Sequence, residues 1–157
     1  SVDVIPNQGK PIVKKVEDQV TNIDNLNKES SKSDLKNDYL AKIRKTINDY
    51  EFIKANDLLN EYGNEIGDPL TVLGLKAEIY NHQRRSKECI TLCDDILSKD
   101  KDNVKAKSEK ALALRQFRKY DEALVLINQA ITQEPENERH YFIKAFITPK
   151  PANHPAE

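Results

Sequence analysis

Two cysteines, four glycines and no tryptophan among 157 residues remove several kinds of protein at the outset. Cys89 and Cys93 are too few for a disulfide framework. Four apart in a helical stretch, they share one helix face, where a bond between them would be strained and a metal ion would lack further ligands. They read as small apolar core residues, as free cysteines commonly are. So little glycine argues against a glycine-rich phosphate loop and against an all-β barrel. No apolar run approaches the roughly 20 residues that span a bilayer, so no transmembrane segment is expected. Charge of one sign is lacking too: 25 Lys plus Arg stand against 26 Asp plus Glu, for a net charge of -1. That removes the basic surplus with which nucleic-acid binders neutralise phosphates, and no nucleic-acid partner is expected.

Catalytic and metal-binding constellations are missing as well. His82, His140 and His154 are scattered over a helix end, a last helix and the tail. No nucleophile–base pair, ligand cluster or phosphate loop accompanies them, so neither enzyme activity, nor a cofactor, nor a metal is expected. Lys105, Lys107, Lys110, Arg115 and Arg118 give one region a basic bias, but Glu109 interrupts it and a solvated face is expected. The chain opens on Ser1 rather than Met, and Ser1–Pro11 has no apolar core resembling an intact signal sequence. Reduced cysteines suit a cytoplasmic location; export, or a periplasmic location after signal removal, is the alternative.

What is present is organised helix. Ser1–Pro11 carries Pro6, Gly9 and Pro11 and reads as extended. Val13, Val16, Val20, Ile23 and Leu26 then follow at steps of three and four, the spacing of one helix face. An amphipathic helix is expected over residues 12–27. Asn27–Asp34 is polar and low in complexity and reads as a linker. Residues 1–35 thus form an N-terminal extension. Its stripe is expected to pack on the array that follows, against the flank of the first hairpin near Ile43, Ile47 and Leu59, or alternatively to occupy the groove near Leu75 and Leu112.

From Lys36 onward a period of 34 residues appears, with segments starting at Lys36, Leu70 and Val104. Equivalent positions within the first helix are Ile43, Ala77 and Ala111, and three further on Thr46, Tyr80 and Leu114. In the second helix they are Ala55, Cys89 and Ala123, then Leu59, Cys93 and Ile127, then Tyr62, Ile96 and Ala130. The register needs no insertion. Asp68 before Pro69, Asn103, Asn137 and Ser86 stand where helices would be capped. The expected helices cover 37–48 and 51–64, 69–83 and 86–99, 104–117 and 120–133, and 138–147. A proline-containing tail, 149–157, follows.

These residues resemble the tetratricopeptide repeat. The segment AKSEKALALRQFRKYDEALVLINQAITQEPEN, Ala106–Asn137, keeps the family's small residue at Ala111, its Lys-Tyr-Asp-Glu-Ala-Leu turn at Lys119–Leu124, Ala130 and the closing Pro135. The middle copy keeps Ala77 and Tyr80 but has Cys89 where Ala is usual and Lys101 where Pro is usual. The first has Ile43 for a small residue and Tyr62 for Ala. Tyr141 and Ala145 match the start of a fourth copy. The resemblance spans residues 36–147 and implies an all-α, right-handed α-solenoid of three helical hairpins with a C-terminal capping helix, which turns Lys144 outward and Ala145 inward. One hairpin cannot bury its own apolar face, so neighbours stack and share a core.

The family's use of this fold implies a non-enzymatic protein-interaction module, a scaffold, adaptor or chaperone, that takes a peptide or helix on its concave face. A structural subunit buried in a larger complex or homodimer is the alternative. The face is expected to comprise Leu40, Arg44 and Ile47; Leu75, Glu78 and His82; Lys105, Glu109, Leu112 and Arg115; then Phe142 and Phe146. Relatives that bind the acidic C-terminal tail of heat-shock chaperones resemble one another in a carboxylate clamp of two Lys, two Asn and one Arg. Threaded here, those positions hold Leu40, Arg44, Leu75, Lys105 and Glu109. Only Lys105 matches, so chaperone-tail binding is not expected.

Overall fold

The structure is a computed structural model, and it describes residues 10–149. All regular structure among them is helical: α1 (Lys10–Asn48), α2 (Phe52–Ile66), α3 (Pro69–His82), α4 (Ser86–Lys99), α5 (Val104–Leu114, ending in a 3-10 turn at Arg115–Phe117), α6 (Tyr120–Gln133) and α7 (Glu138–Ile147). No helix among them is long and apolar enough to cross a membrane. The chain divides into two units after Lys42. Most of Ser1–Pro11 and nearly all of the tail lie outside the described residues.

The first unit corrects the expected linker. Residues 27–34 continue α1 without a break. The cause is the absence of a breaker: no Gly or Pro occurs between Pro11 and Gly63. Ser and Asn lower helix propensity by only about 0.5 kcal/mol each, too little to interrupt a helix by themselves. Pro11 sits in the first turn, where its missing N–H does no harm. The stripe is not buried. Val13, Val16, Val20, Ile23 and Leu26 are 51–57% exposed.

The second unit begins with the last turns of α1, from Ile43. Here the 34-residue period becomes burial. Ile43, Ala77 and Ala111 are wholly buried; so are Ala55, Cys89 and Ala123, then Leu59, Cys93 and Ile127, then Tyr62, Ile96 and Ala130. Helix α3 packs on α4 and α5 on α6, while α2 meets α3, α4 meets α5, and α6 meets α7. The first helices α3, α5 and α7 also touch in sequence, forming one layer of the stack. Its apolar clusters include one around Ala77, Cys89, Cys93 and Ile96 and another around Ala111, Leu114, Ala123, Ile127 and Ile143. Alanine and cysteine let the helices approach closely, and each buried aliphatic contributes roughly 1.5–3 kcal/mol.

The turns repeat as well. Tyr50, Arg84 and Arg118, 34 apart, are the non-glycine residues with left-handed backbone among those described, at φ 60°, 59° and 57°. Each reverses the chain between the two helices of a hairpin. Asn103 caps α5 by accepting from the Ala106 N–H at 2.9 Å, and Asn137 caps α7 through the Arg139 N–H at 3.1 Å. Two expected caps act otherwise. Asp68 accepts from the Tyr62 hydroxyl at 2.9 Å. Ser86 lies inside α4 and is buried, with Arg85 at the cap position. The last helix turns Ile143 and Ile147 inward, whereas Ala145 faces out. Among the described residues no second helix of a fourth hairpin follows to take it.

Candidate partner-binding face

The residues expected at the site lie on the first helices, and their charges are arranged differently from an open mixed groove. Glu78 on α3 and Glu109 on α5 are wholly buried. Arg44 holds Glu78 with two hydrogen bonds, Nη1 to Oε2 at 2.5 Å and Nη2 to Oε1 at 3.0 Å. Lys105 Nζ bonds to both carboxylates, to Glu78 Oε1 and, at 3.1 Å, to Glu109 Oε1. Arg139 on α7 grips Glu109 through Nε at 2.9 Å and Nη2 at 3.1 Å. Asn81 donates to Glu109 Oε2 at 2.8 Å and to its backbone carbonyl at 2.9 Å. One ion network therefore links residues from all four first-helix segments, from Arg44 at the end of α1 to Arg139 in α7.

Position and size make this possible. Gly74 lies opposite Lys105: a Cβ there would stand 2.9 Å from Lys105 Cγ, so the bare glycine lets the lysine stem cross α3 toward Glu78. Burial acts to raise the Glu78 pKa. The imidazole of His82, 3.7 Å away, and the charges of Lys105, Arg44 and Arg139 outweigh it and hold the carboxyl well below its ordinary value. Burial likewise pushes Glu109 up, and Lys105 and Arg139 bring it below its usual range. Breaking such a network by removing one partner leaves an uncompensated buried charge.

Leu40 lies in the first unit, half-buried on α1. Ile47 is wholly buried and Leu75 is 9% exposed, so both belong to the core and not to an open surface. Leu112 and Arg115 are half-buried, whereas Phe142 and Phe146 are 61% and 47% exposed and stack with ring centroids 6.0 Å apart. Arg115 lays its guanidinium 3.9 Å above the Phe146 ring. The expected solvated basic face is also revised. Lys107 is buried and bonds to Gln133 at 3.0 Å, and Lys110 pairs with Asp94 at 2.7 Å.

His82, Leu112, Arg115 and Phe146 line one cavity of about 410 Å³ together with Tyr50, Asn81 and Arg84. Sequence reading misses Asn81, Arg139 and Tyr50, and treats Arg84 with Arg85 as solvated turn charges. The period held a signal for three of them: Arg139 stands 34 residues after Lys105, and Arg84 stands 34 after Tyr50. The thiols of Cys89 and Cys93 are buried with sulfurs 4.0 Å apart. The hydrogen bond with Cys93, and then burial, push the Cys89 pKa up, which keeps that thiol unreactive. Among the described residues no three His, Cys, Asp or Glu side chains gather in a way that could hold a metal ion.

The arrangement of paired helices at a 34-residue period is the tetratricopeptide-repeat fold, and solved structures share it. The tetratricopeptide-repeat domain of Arabidopsis OM64 superposes with a TM-score of 0.54 at 19% identity, over 73% of this chain and 94% of that one. The first such domain of human RPAP3 gives 0.55 at 18%, over 69% and 86%. The second RPAP3 domain, solved in complex with the HSP70 peptide SGPTIEEVD, gives 0.53 at 16%, over 71% and 93%. No protein-family model and no curated protein sequence matches the chain.

Proposed function

We propose that this chain is a non-enzymatic protein-interaction module, a scaffold, adaptor or chaperone, that takes a partner's peptide or helix on the face formed by its first helices. The observation that carries the reading is the exposed stacked pair Phe142 and Phe146, placed beside the half-buried Leu112 and Arg115. Large aromatics left in water on one side of a stack are typical of recognition surfaces, where they become energetic anchors. An acidic chaperone tail fits this face poorly: Leu40, Arg44, Leu75 and Glu109 do not match the clamp, and Lys105 is engaged by Glu78 and Glu109. The second RPAP3 domain is solved with an HSP70 peptide, and that ligand is not carried over here.

The test is capture of a partner from the source cells by the immobilised chain, compared with a Phe142→Ser, Phe146→Ser variant of unchanged melting temperature. Loss of the partner on substitution supports the reading, and undiminished capture overturns it. The exposed stripe Val13–Leu26 favours a second reading, a structural subunit buried in a larger complex or homodimer. Light scattering separates them: a monomer supports the module, an obligate oligomer the subunit.

A further inference from the structure

We infer that the cavity at the turn end of the first-helix face binds an acidic side chain of a partner segment together with the apolar side chain next to it. This rests on the reading of that face as a partner surface and names the chemistry it selects. The ion network along the helices leaves no cation unpaired: Arg44, Lys105 and Arg139 are all held by Glu78 or Glu109, three positive charges on two carboxylates. The cavity differs. Arg84 and Arg115 line it, no acidic side chain does, and neither guanidinium forms an ion pair among the described residues. Its other walls include Tyr50, His82, Leu112 and Phe146.

Arg115 is held in place for the task. Its guanidinium lies on the Phe146 ring, and its Nε donates to the Phe146 carbonyl at 3.1 Å. That uses one face and one N–H and leaves the two η nitrogens as a fork, the geometry that matches a carboxylate. A second and independent feature lies in the turns. Tyr50 and Arg84 both take left-handed backbone, at φ 60° and 59°, a conformation glycine adopts more readily. Left-handed turns recur in every hairpin, and the two at Tyr50 and Arg84, one repeat apart, bring large side chains to one cavity. The Tyr50 ring is braced edge-on against His82 at 5.9 Å. A cavity with a positive fork and an aromatic wall selects an acidic residue beside an aromatic or aliphatic one.

The probes are two blocked peptides, GGDFGG and GGNFGG, titrated into nitrogen-labelled full chain while amide and arginine Nε–H signals are followed by NMR. The expected result is that the Arg115 Nε–H and the backbone signals near Arg84 and Leu112 move with GGDFGG. Binding of GGNFGG should be about tenfold weaker, the difference between a charged and a neutral acceptor. Arg84→Asn keeps a residue tolerant of left-handed backbone, and Arg115→Gln keeps the turn; either should abolish the preference for the acidic peptide. Equal binding of the two peptides, or a preference that survives both substitutions, overturns the assignment. So does a phosphoserine peptide in place of the acidic one binding more tightly. Signals moving only at Phe142 and neighbouring α7, without charge dependence, sink this cavity while leaving the partner face intact.

Discussion

Residues 13–42 and 43–149 both carry aliphatic side chains at helical spacing, yet only the second stretch buries them. No residue of 13–42 is buried, and its five stripe residues are 51–57% exposed. In the array, Ala77, Cys89, Ala111, Ala123 and Ala130 are wholly buried and face large neighbours such as Ile96 and Ile127. The earlier stretch has a single small apolar residue, Ala41. A three-and-four step therefore predicts a helix. Burial requires small residues in matching register, so that a second helix can come within packing distance.

The sharpest way to break this contrast is a charge at the close contacts. Ala111→Asp or Ala123→Asp puts an unpaired carboxylate where exposure is zero. The expected loss is about 4 kcal/mol or more, enough to unfold a domain of this size in mild denaturant. Urea unfolding followed by circular dichroism measures it. A wild-type midpoint for either variant would mean that the helices are not in contact there.

Next in size is the ion network. Glu109→Gln keeps the shape but removes the charge that Lys105 and Arg139 share and turns an amide NH2 toward donors, for an expected loss of about 2–4 kcal/mol. The same network sets a pH dependence. Glu78 and Glu109 have folded pKa values below the ordinary 4.5, so the unfolded chain binds protons first as pH falls. Their stabilisation is complete above that value and drains away on acidification below about 4.5. Unfolding midpoints should fall more steeply with acid for wild type than for Glu109→Gln. Parallel curves would show that the carboxylates are not holding the helices together.

The fold was legible because its signal is periodic: the 34-residue sets of buried positions are apolar, and from Asn48 onward helix ends fall within two or three residues of those expected, although the expected helices 12–27 and 37–48 are one. The network was not legible. Glu78 meets Lys105 and Glu109 meets Arg139 across helix neighbours 27 and 30 residues apart, and a charged residue carries no pattern that says whether it will be solvated or buried in a pair. Glu109 read as a charge interrupting a solvated basic face, whereas the structure buries it among cations. Residues 27–34 misled for the opposite reason: polarity reads as a linker, but without Gly or Pro nothing stops the helix. Ala145 matched its repeat position and yet faces water, because burial depends on a neighbour outside the matching segment.

A smaller effect, and one of opposite sign, is expected at the turns. Left-handed backbone disfavours residues with a Cβ by about 1–2 kcal/mol, and glycine gives part of this back through its freer unfolded state. Arg118, at φ 57° and on the surface, lines neither the cavity nor the network. Arg118→Gly should therefore stabilise by up to about 1 kcal/mol, read as a raised melting temperature. Destabilisation would show that the arginine stem contributes packing that outweighs its strain.

The smallest effect expected is at the stripe, and it tests the exposed half of the contrast. Val20 is 52% exposed in the middle of α1. Valine and aspartate have similar helix propensities, and substitutions on open surface change stability by no more than about 0.5 kcal/mol. Val20→Asp should leave both the melting temperature and the light-scattering mass of the isolated chain where they are. A large drop in melting temperature with unchanged mass would mean that the stripe is covered by the chain itself in solution, as burying each aliphatic would contribute up to roughly 1.5–3 kcal/mol. A fall in mass on substitution would mean that a second copy covers it, and would favour the structural-subunit reading over the monomeric module. Neutrality in both measurements leaves the stripe free in the isolated chain, where a helix face with anchors at steps of three and four is open to a partner's apolar groove.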